Sequence, residues 1–165
     1  MTTIVTHQGY IHGEHLQVVY EGPFMFKSVC DKIFVSKNKQ FAYGTIGSSL
    51  VEDRSEIEKQ IHAILLKSID AEYNIANRYN KEEYTFPTAL VLTKDFVVTI
   101  SRKSISFTKS SHETIMSIGS GLEIMTAALR YTNDITKSYA IVASIDNVTG
   151  SKYSTISTTK LKVLK

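Results

Sequence analysis

The chain has 165 residues, 42% hydrophobic and 21% charged, with a formal net charge of +3. That size and composition fit one folded domain, and only two prolines (Pro23 and Pro87) and eight glycines exclude a disordered, collagen-like or proline-rich chain. The basic residues are scattered, which argues against nucleic acid as a partner, and no apolar run approaches the roughly 18 residues that cross a membrane.

In chain order, the N-terminus reads as extended. Residues 3–6 and 16–20 are β-forming runs. Gly9 and Gly13 flank Tyr10-Ile11-His12 between them, which predicts a hairpin with a long connection. No basic segment followed by an apolar one opens the chain, so no secretory leader is expected. Glu21-Gly22-Pro23 breaks the second strand. Residues 29–34 and 41–46 are two further strands on either side of Ser36-Lys37-Asn38-Lys39, and the four are expected to share one sheet.

Residues 53–79 read as one long helix, with Ile57, Ile61, Ile64, Leu65, Ile69 and Tyr73 mostly at three- and four-residue steps. Residues 85–93 and 96–101 form a predicted hairpin through Lys94-Asp95, followed by strands at 105–107 and 115–118. The last of these runs into Gly119-Ser120-Gly121. Two helices follow at 122–131 and from 134 to about 145, with Thr132-Asn133-Asp134 ending one and starting the next. Residues 152–158 alternate as a final strand, and the basic tail 160–165 alternates too, as an edge strand would. Strands clustered in two blocks, each followed by helices, predict an α+β sandwich of two antiparallel sheets with helices outside.

Several polar residues could carry chemistry. If Met1 is removed, Thr2 supplies both a nucleophilic Oγ and, through its own α-amine, a general base. Lys32 shares a strand face with Cys30 and Phe34, and a positive charge there would favour deprotonation of Thr2. Such a lysine needs a carboxylate partner, and Glu21, at the end of the second strand, is the candidate. Ser120 sits at a strand-to-helix junction and reads either as a cap or as a proton-relay partner. Asp146 and Thr149 read first as turn chemistry at a helix end.

His7, His12 and His15 cluster around the first hairpin without a convergent carboxylate set, so they are expected to be exposed loop histidines rather than metal ligands. Cys30, the lone cysteine, fits a reducing, cytoplasmic setting and reads as a small buried hydrophobe rather than a nucleophile. Neither glycine-rich phosphate motif is present, which disfavours nucleotide binding.

Five segments, in order over nearly the whole length, resemble the proteasome β-subunit family, and most closely its bacterial HslV-type peptidases, which are N-terminal-nucleophile hydrolases. They are Thr2-Thr3-Ile4-Val5, Asp31-Lys32-Ile33, Ala42-Tyr43-Gly44-Thr45-Ile46-Gly47, Ile118-Gly119-Ser120-Gly121 and Asp146-Asn147-Val148-Thr149-Gly150. The resemblance implies a four-layer αββα sandwich. It also implies Thr2 as nucleophile and base, with Lys32 tuning it. Glu21 falls where the family carries an aspartate that pairs with this lysine; it is one methylene longer, and the Thr2-to-Glu21 connection is longer than in the family. Ser120, Asp146 and Thr149 match positions that support the terminal amine. The Gly47 N–H would be the oxyanion donor, and Thr45 and Ile46 would line the substrate side-chain pocket.

The resemblance further implies peptide or protein substrates, a homo-oligomeric ring and an ATPase unfoldase as partner, with no metal or organic cofactor. A reading of another class is a non-catalytic assembly or interaction module that keeps the sandwich and retains Met1. An amidase acting on small amides would share the nucleophile and differ in pocket shape.

Overall fold

The computed structural model describes residues 2–21, 23–46, 54–70, 78–79, 88–101, 104–111 and 113–164. Strands β1 (Thr3–His7) and β2 (Tyr10–Glu14) form an antiparallel hairpin in which His7 faces Tyr10. The turn between them is two residues long, with positive φ at both Gln8 (52°) and Gly9 (77°), the geometry that matches strand twist in a tight hairpin. The expected long connection is therefore itself a strand. Polar His12 and Glu14 disguise it, because both are buried.

Two more strands, β11 (Met116–Gly119) and β12 (Tyr153–Ser157), complete a four-stranded sheet in the order β11-β1-β2-β12. The second sheet is built from β5 (Ile33–Val35), β6 (Phe41–Ile46), β7 (Arg78–Tyr79), β8 (Thr88–Thr93), β9 (Phe96–Ser101) and β10 (Ser104–Lys109). Its order is β5-β6-β8-β9-β10-β7, and among the described residues every neighbouring pair is antiparallel. Strands β3 (Leu16–Glu21) and β4 (Phe24–Val29) pair only with each other among the described residues. The first strands of the chain thus divide between two sheets and a ribbon instead of sharing one sheet.

Three apolar clusters define four layers. Helix α1 (Arg54–Asp70) lays Ile57, Ile61, Ile64 and Leu65 on the face of the six-stranded sheet that carries Phe41, Tyr43, Ala89, Val91, Val98 and Ile100. Strand alternation sends Ala42, Leu90, Leu92 and Val97 to the other face, where they meet Ile4, Ile11 and Ile118 of the four-stranded sheet. Burying each of the larger aliphatic side chains there contributes about 1.5–3 kcal/mol. On the far side, Val5 packs against Met125 and Leu129 of α2 (Leu122–Thr132) and Tyr139 and Val142 of α3 (Ile135–Ile145). The order is helix, sheet, sheet, helices: the αββα sandwich expected from the sequence.

Helix α1 is described as far as Asp70, residues 71–77 lie outside the described residues, and Arg78–Tyr79, expected at the end of the helix, instead pair as β7 with β10. Asp134 caps α3 by accepting from the N–H groups of Thr136 and Lys137. The tail forms a 3-10 turn at Thr158–Lys160 rather than a strand, because Leu161 drops into the inter-sheet core.

Candidate active site

Thr2 immediately precedes β1 and is 8% exposed. The alternation that sends Ile4 between the sheets turns Thr2 the same way, and there Lys32 meets it. The Lys32 ammonium donates to Thr2 Oγ1 at 2.7 Å, to the Leu16 carbonyl at 2.8 Å and to Glu14 Oε1 at 3.4 Å. An ammonium has three protons and no acceptor, so all three are placed. Close approach of the two sheets permits this. A Cβ on Gly44 would lie 2.5 Å from Ile4 Cδ1 and 2.7 Å from the Lys32 carbonyl, and one on Gly13 would lie 2.6 Å from Ile33 Cγ2.

The carboxylate beside Lys32 is Glu14, not the expected Glu21. Glu14 ends β2, next to the strand that carries Thr2, and is 0% exposed. Its Oε2 accepts from the N–H groups of Leu16 and Gly150. Glu21 ends β3 opposite Phe24, seven residues further along a ribbon that among the described residues joins neither main sheet; its side chain lies outside the described residues. Burial pushes the Glu14 carboxyl above its ordinary range, and the Lys32 charge and the two N–H groups pull it back only in part.

A second polar chain runs on the opposite side of β1. The Ser120 N–H donates to the Thr2 carbonyl at 3.2 Å, and Ser120 Oγ donates to Asp146 Oδ2 at 2.7 Å. Thr149 Oγ1 donates to the same oxygen at 2.7 Å and lies 2.8 Å from Thr3 Oγ1. Thr3 Oγ1 also accepts from the Gly121 N–H, and its carbonyl accepts from Tyr139 OH at 3.3 Å. Burial raises Asp146, but hydrogen bonds from Ser120, Thr149 and the Val148 N–H outweigh it and hold the carboxyl below its ordinary value. Gly119 allows the turn, since its φ is +108° and a Cβ there would sit 1.5 Å from the Thr2 carbonyl oxygen.

The structure therefore brings Thr2, Lys32, Ser120, Asp146 and Thr149 around one strand end. Thr45 and Ile46 close β6, opposite Ala89 and Thr88, just beyond the pair of Gly44 with Ile33. Gly47 lies outside the described residues. Glu14 and the Leu16 carbonyl were missed in the sequence. A glutamate after glycine in an otherwise buried hairpin strand was the available signal for the first; nothing marks a backbone carbonyl. His7 and His12 are buried strand residues rather than exposed loop ones, bonded to Asn133 Oδ1 at 3.0 Å and Thr155 Oγ1 at 2.9 Å. Among the described residues no group of three histidine, cysteine or carboxylate side chains could hold a metal.

Solved structures share this architecture. The HslV of Trypanosoma brucei superposes with a TM-score of 0.64 at 17% identity, over 94% of this chain and 97% of that one. The BPH of Thiobacillus denitrificans does so at 0.55 and 13% identity, over 99% and 98%, both alone and in complex with epoxomicin. The chain has the HslV-like sandwich fold. No family model and no curated protein matches its sequence, so the likeness is one of fold. Helices α2 and α3 cover one outer face and α1 the other, and among the described residues no helix is long and apolar enough to cross a membrane.

Proposed function

We propose that the chain is an N-terminal threonine peptidase that cleaves peptide bonds through an acyl-enzyme on Thr2 once Met1 is removed. The observation that carries this reading is the 2.7 Å contact of Lys32 Nζ with Thr2 Oγ1. Removal of Met1 turns the Thr2 nitrogen from an amide into an amine, whose reference pKa of about 7.7–8.0 suits a general base. The amine takes the Oγ proton as Oγ bonds to the scissile carbonyl carbon, and the Lys32 charge stabilises the developing alkoxide. Collapse of the tetrahedral intermediate breaks the C–N bond, and the proton passes to the leaving amine. Water then hydrolyses the Thr2 ester.

In this scheme the Gly47 N–H donates to the oxyanion, and Thr45 and Ile46 line the pocket for the substrate side chain. Ser120, Asp146 and Thr149 hold the Thr2–Thr3 backbone and support the amine. Neither a metal nor an organic cofactor has a step to perform. The proposal extends to a homo-oligomeric ring in the cytoplasm that receives protein substrates from an ATPase unfoldase.

The test combines the intact mass of the protein from its native setting with turnover of a peptide panel and with epoxomicin, the ligand of the Thiobacillus denitrificans BPH complex. The expected result is a mass short by one methionine, an epoxomicin adduct on Thr2, and loss of turnover in Thr2→Ala. Retained Met1 without adduct or turnover supports the assembly module instead. Turnover of small amides but not peptides supports the amidase.

A further inference from the structure

The two segments that hold the Lys32 ammonium, residues 14–16 and 30–32, run side by side, and each carries a second polar residue on its outer side. Glu14 and Lys32 turn inward to Thr2. The residues next to them in sequence, His15 and Asp31, turn outward and also meet. His15 Nε2 lies 2.6 Å from Ser154 Oγ and 3.7 Å from Asp31 Oδ1, and Ser154 Oγ donates to Asp31 Oδ1 at 3.4 Å. The backbone of His15 is engaged at both ends: its N–H donates to the Lys152 carbonyl at 3.0 Å, and its carbonyl accepts from the Cys30 N–H at 2.9 Å. One residue thus ties together the end of β2, the segment before β5 and the start of β12.

We propose that His15, Asp31 and Ser154 form a clasp that sets where the Lys32 ammonium sits against Thr2 Oγ1. His15 and Asp31 are positioning residues for the reaction proposed above, on which this inference rests. The topology gives the clasp its importance. Between residues 14–16 and 30–32 the chain leaves as the β3–β4 ribbon, which pairs with neither main sheet among the described residues. The base of the ribbon, where Leu16 lies opposite Val29 and the His15 carbonyl accepts from the Cys30 N–H, holds the two backbones together. Residues 31 and 32 continue past that pairing, and the side-chain clasp is what sets how the Lys32 turn presents its ammonium at 2.8 Å to the Leu16 carbonyl and 3.4 Å to Glu14. Asp31 is 68% exposed, and a polar contact that open to water adds little to stability. Its loss is therefore read in the geometry of Lys32 rather than in folding.

The test uses the full chain with Thr2 exposed, comparing wild type with His15→Ala, His15→Gln, Asp31→Asn and Ser154→Ala. Two readouts are taken. The first is kcat and KM on a peptide substrate. The second, independent of activity, is the rate of acetylation of Lys32 by an N-hydroxysuccinimide ester, read by peptide mass against exposed Lys94. A displacement of about 1 Å at a reacting group can cost about a hundredfold in rate. For a fraction of that shift, His15→Ala and Asp31→Asn are expected to lower kcat about tenfold with KM within about twofold, and to raise Lys32 acetylation about tenfold. His15→Gln, which keeps a donor at about the reach of Nε2, restores most of both. Asp31→Asn, at an exposed position, serves if His15→Ala does not fold.

Unchanged kcat in folded, active variants overturns the clasp, and so does a fall in kcat with Lys32 acetylation unchanged. Should the wild type show no turnover while Lys32 acetylation still responds to these variants, the peptidase reading fails and the clasp stands. Acetylation that does not respond in that inactive protein overturns both.

Discussion

Glu14→Gln tests the electrostatics of the site without any need for activity. The substitution keeps the shape and removes the charge. Glu14 and Lys32 have side chains 0% and 10% exposed, with Oε1 and Nζ 3.4 Å apart, and at an effective dielectric constant near 20 that separation is worth about 5 kcal/mol. Three donors converge on the carboxylate, from Lys32, Leu16 and Gly150. An amide has only one oxygen, so in either orientation its NH2 group faces one of those donors. Breaking a buried pair from one side costs about 3–5 kcal/mol, which for a chain of this length lowers Tm by about 6–20 °C. The assay is urea and thermal unfolding followed by circular dichroism over a pH series from acid to alkaline. Lys32→Met leaves the carboxyl without its cation. Because burial raises Glu14 in the folded state, its contribution is fully present at low pH and is lost as pH rises through the folded value; Lys32→Met, which removes the cation that opposes this shift, is therefore expected to lose stability progressively as pH is raised from the acid end of the series. The double variant should recover most of either loss, since the unpaired charge is gone. A change below about 1 kcal/mol in Glu14→Gln would refute the pairing as described.

Three further outcomes follow from single residues. Burial, reinforced by His7, holds His12 at about 4 against 6.5 unfolded, so as pH falls from 6.5 the unfolded chain takes up a proton that the folded chain refuses. About 3 kcal/mol of stability should disappear by pH 4, and His12→Gln should flatten that slope in pH-dependent unfolding; an equal slope in the variant assigns it elsewhere. Gly119→Ala places a methyl group against the Thr2 carbonyl at a backbone angle that alanine disfavours, and a loss of more than about 3 kcal/mol is expected in urea unfolding, with wild-type stability as the contrary result. Among the described residues Thr99 Oγ1 is buried without a hydrogen-bond partner; Thr99→Val should raise stability by about 1 kcal/mol and Tm by about 2–4 °C, and a lower Tm would show that the hydroxyl is satisfied.

The layers were legible where alternation was undisturbed. Residues 96–101 and the two helices near 122 and 134 fall almost where period and capping put them. The strand is apolar on both faces because Val98 and Ile100 meet one core and Val97 the other, and the helices lay one apolar face on a single core. The N-terminal third was misread for a physical reason. Strand β2 hides behind His12 and Glu14, polar residues buried because each finds a partner across the sheet or the site. With residues 10–14 read as a loop from their polar character, the nearest strand-end carboxylate is Glu21. Thr2, Lys32, Ser120, Asp146 and Thr149 stood out as types at spacings, but only the fold shows which bond which. The partner of Lys32 is set by hairpin register, and register rests on the Gln8-Gly9 turn, which has no strong two-residue signature because Gln8 is an unusual residue at positive φ.

The alternation of β1 also explains how one strand end can hold two polar systems without mixing them. Thr2 faces the space between the sheets and meets Lys32, whereas Thr3 faces α3 and meets Thr149, which with Ser120 bonds Asp146. The cation therefore sits at Oγ and the anion on the backbone side. In the proposed reaction the proton leaves Oγ for the amine. A positive charge at its origin favours the alkoxide, and a carboxylate held below its ordinary pKa on the far side favours the ammonium that results. Both fields drive the transfer in one direction, so exchanging the charges should oppose the reaction more than deleting either one. Asp146→Asn removes half of that field and leaves the Lys32 contact in place. The loss it causes in kcat should therefore add, in free energy, to that of a variant that weakens Lys32 from the other face. Strong non-additivity would mean the two sides of β1 act as one network.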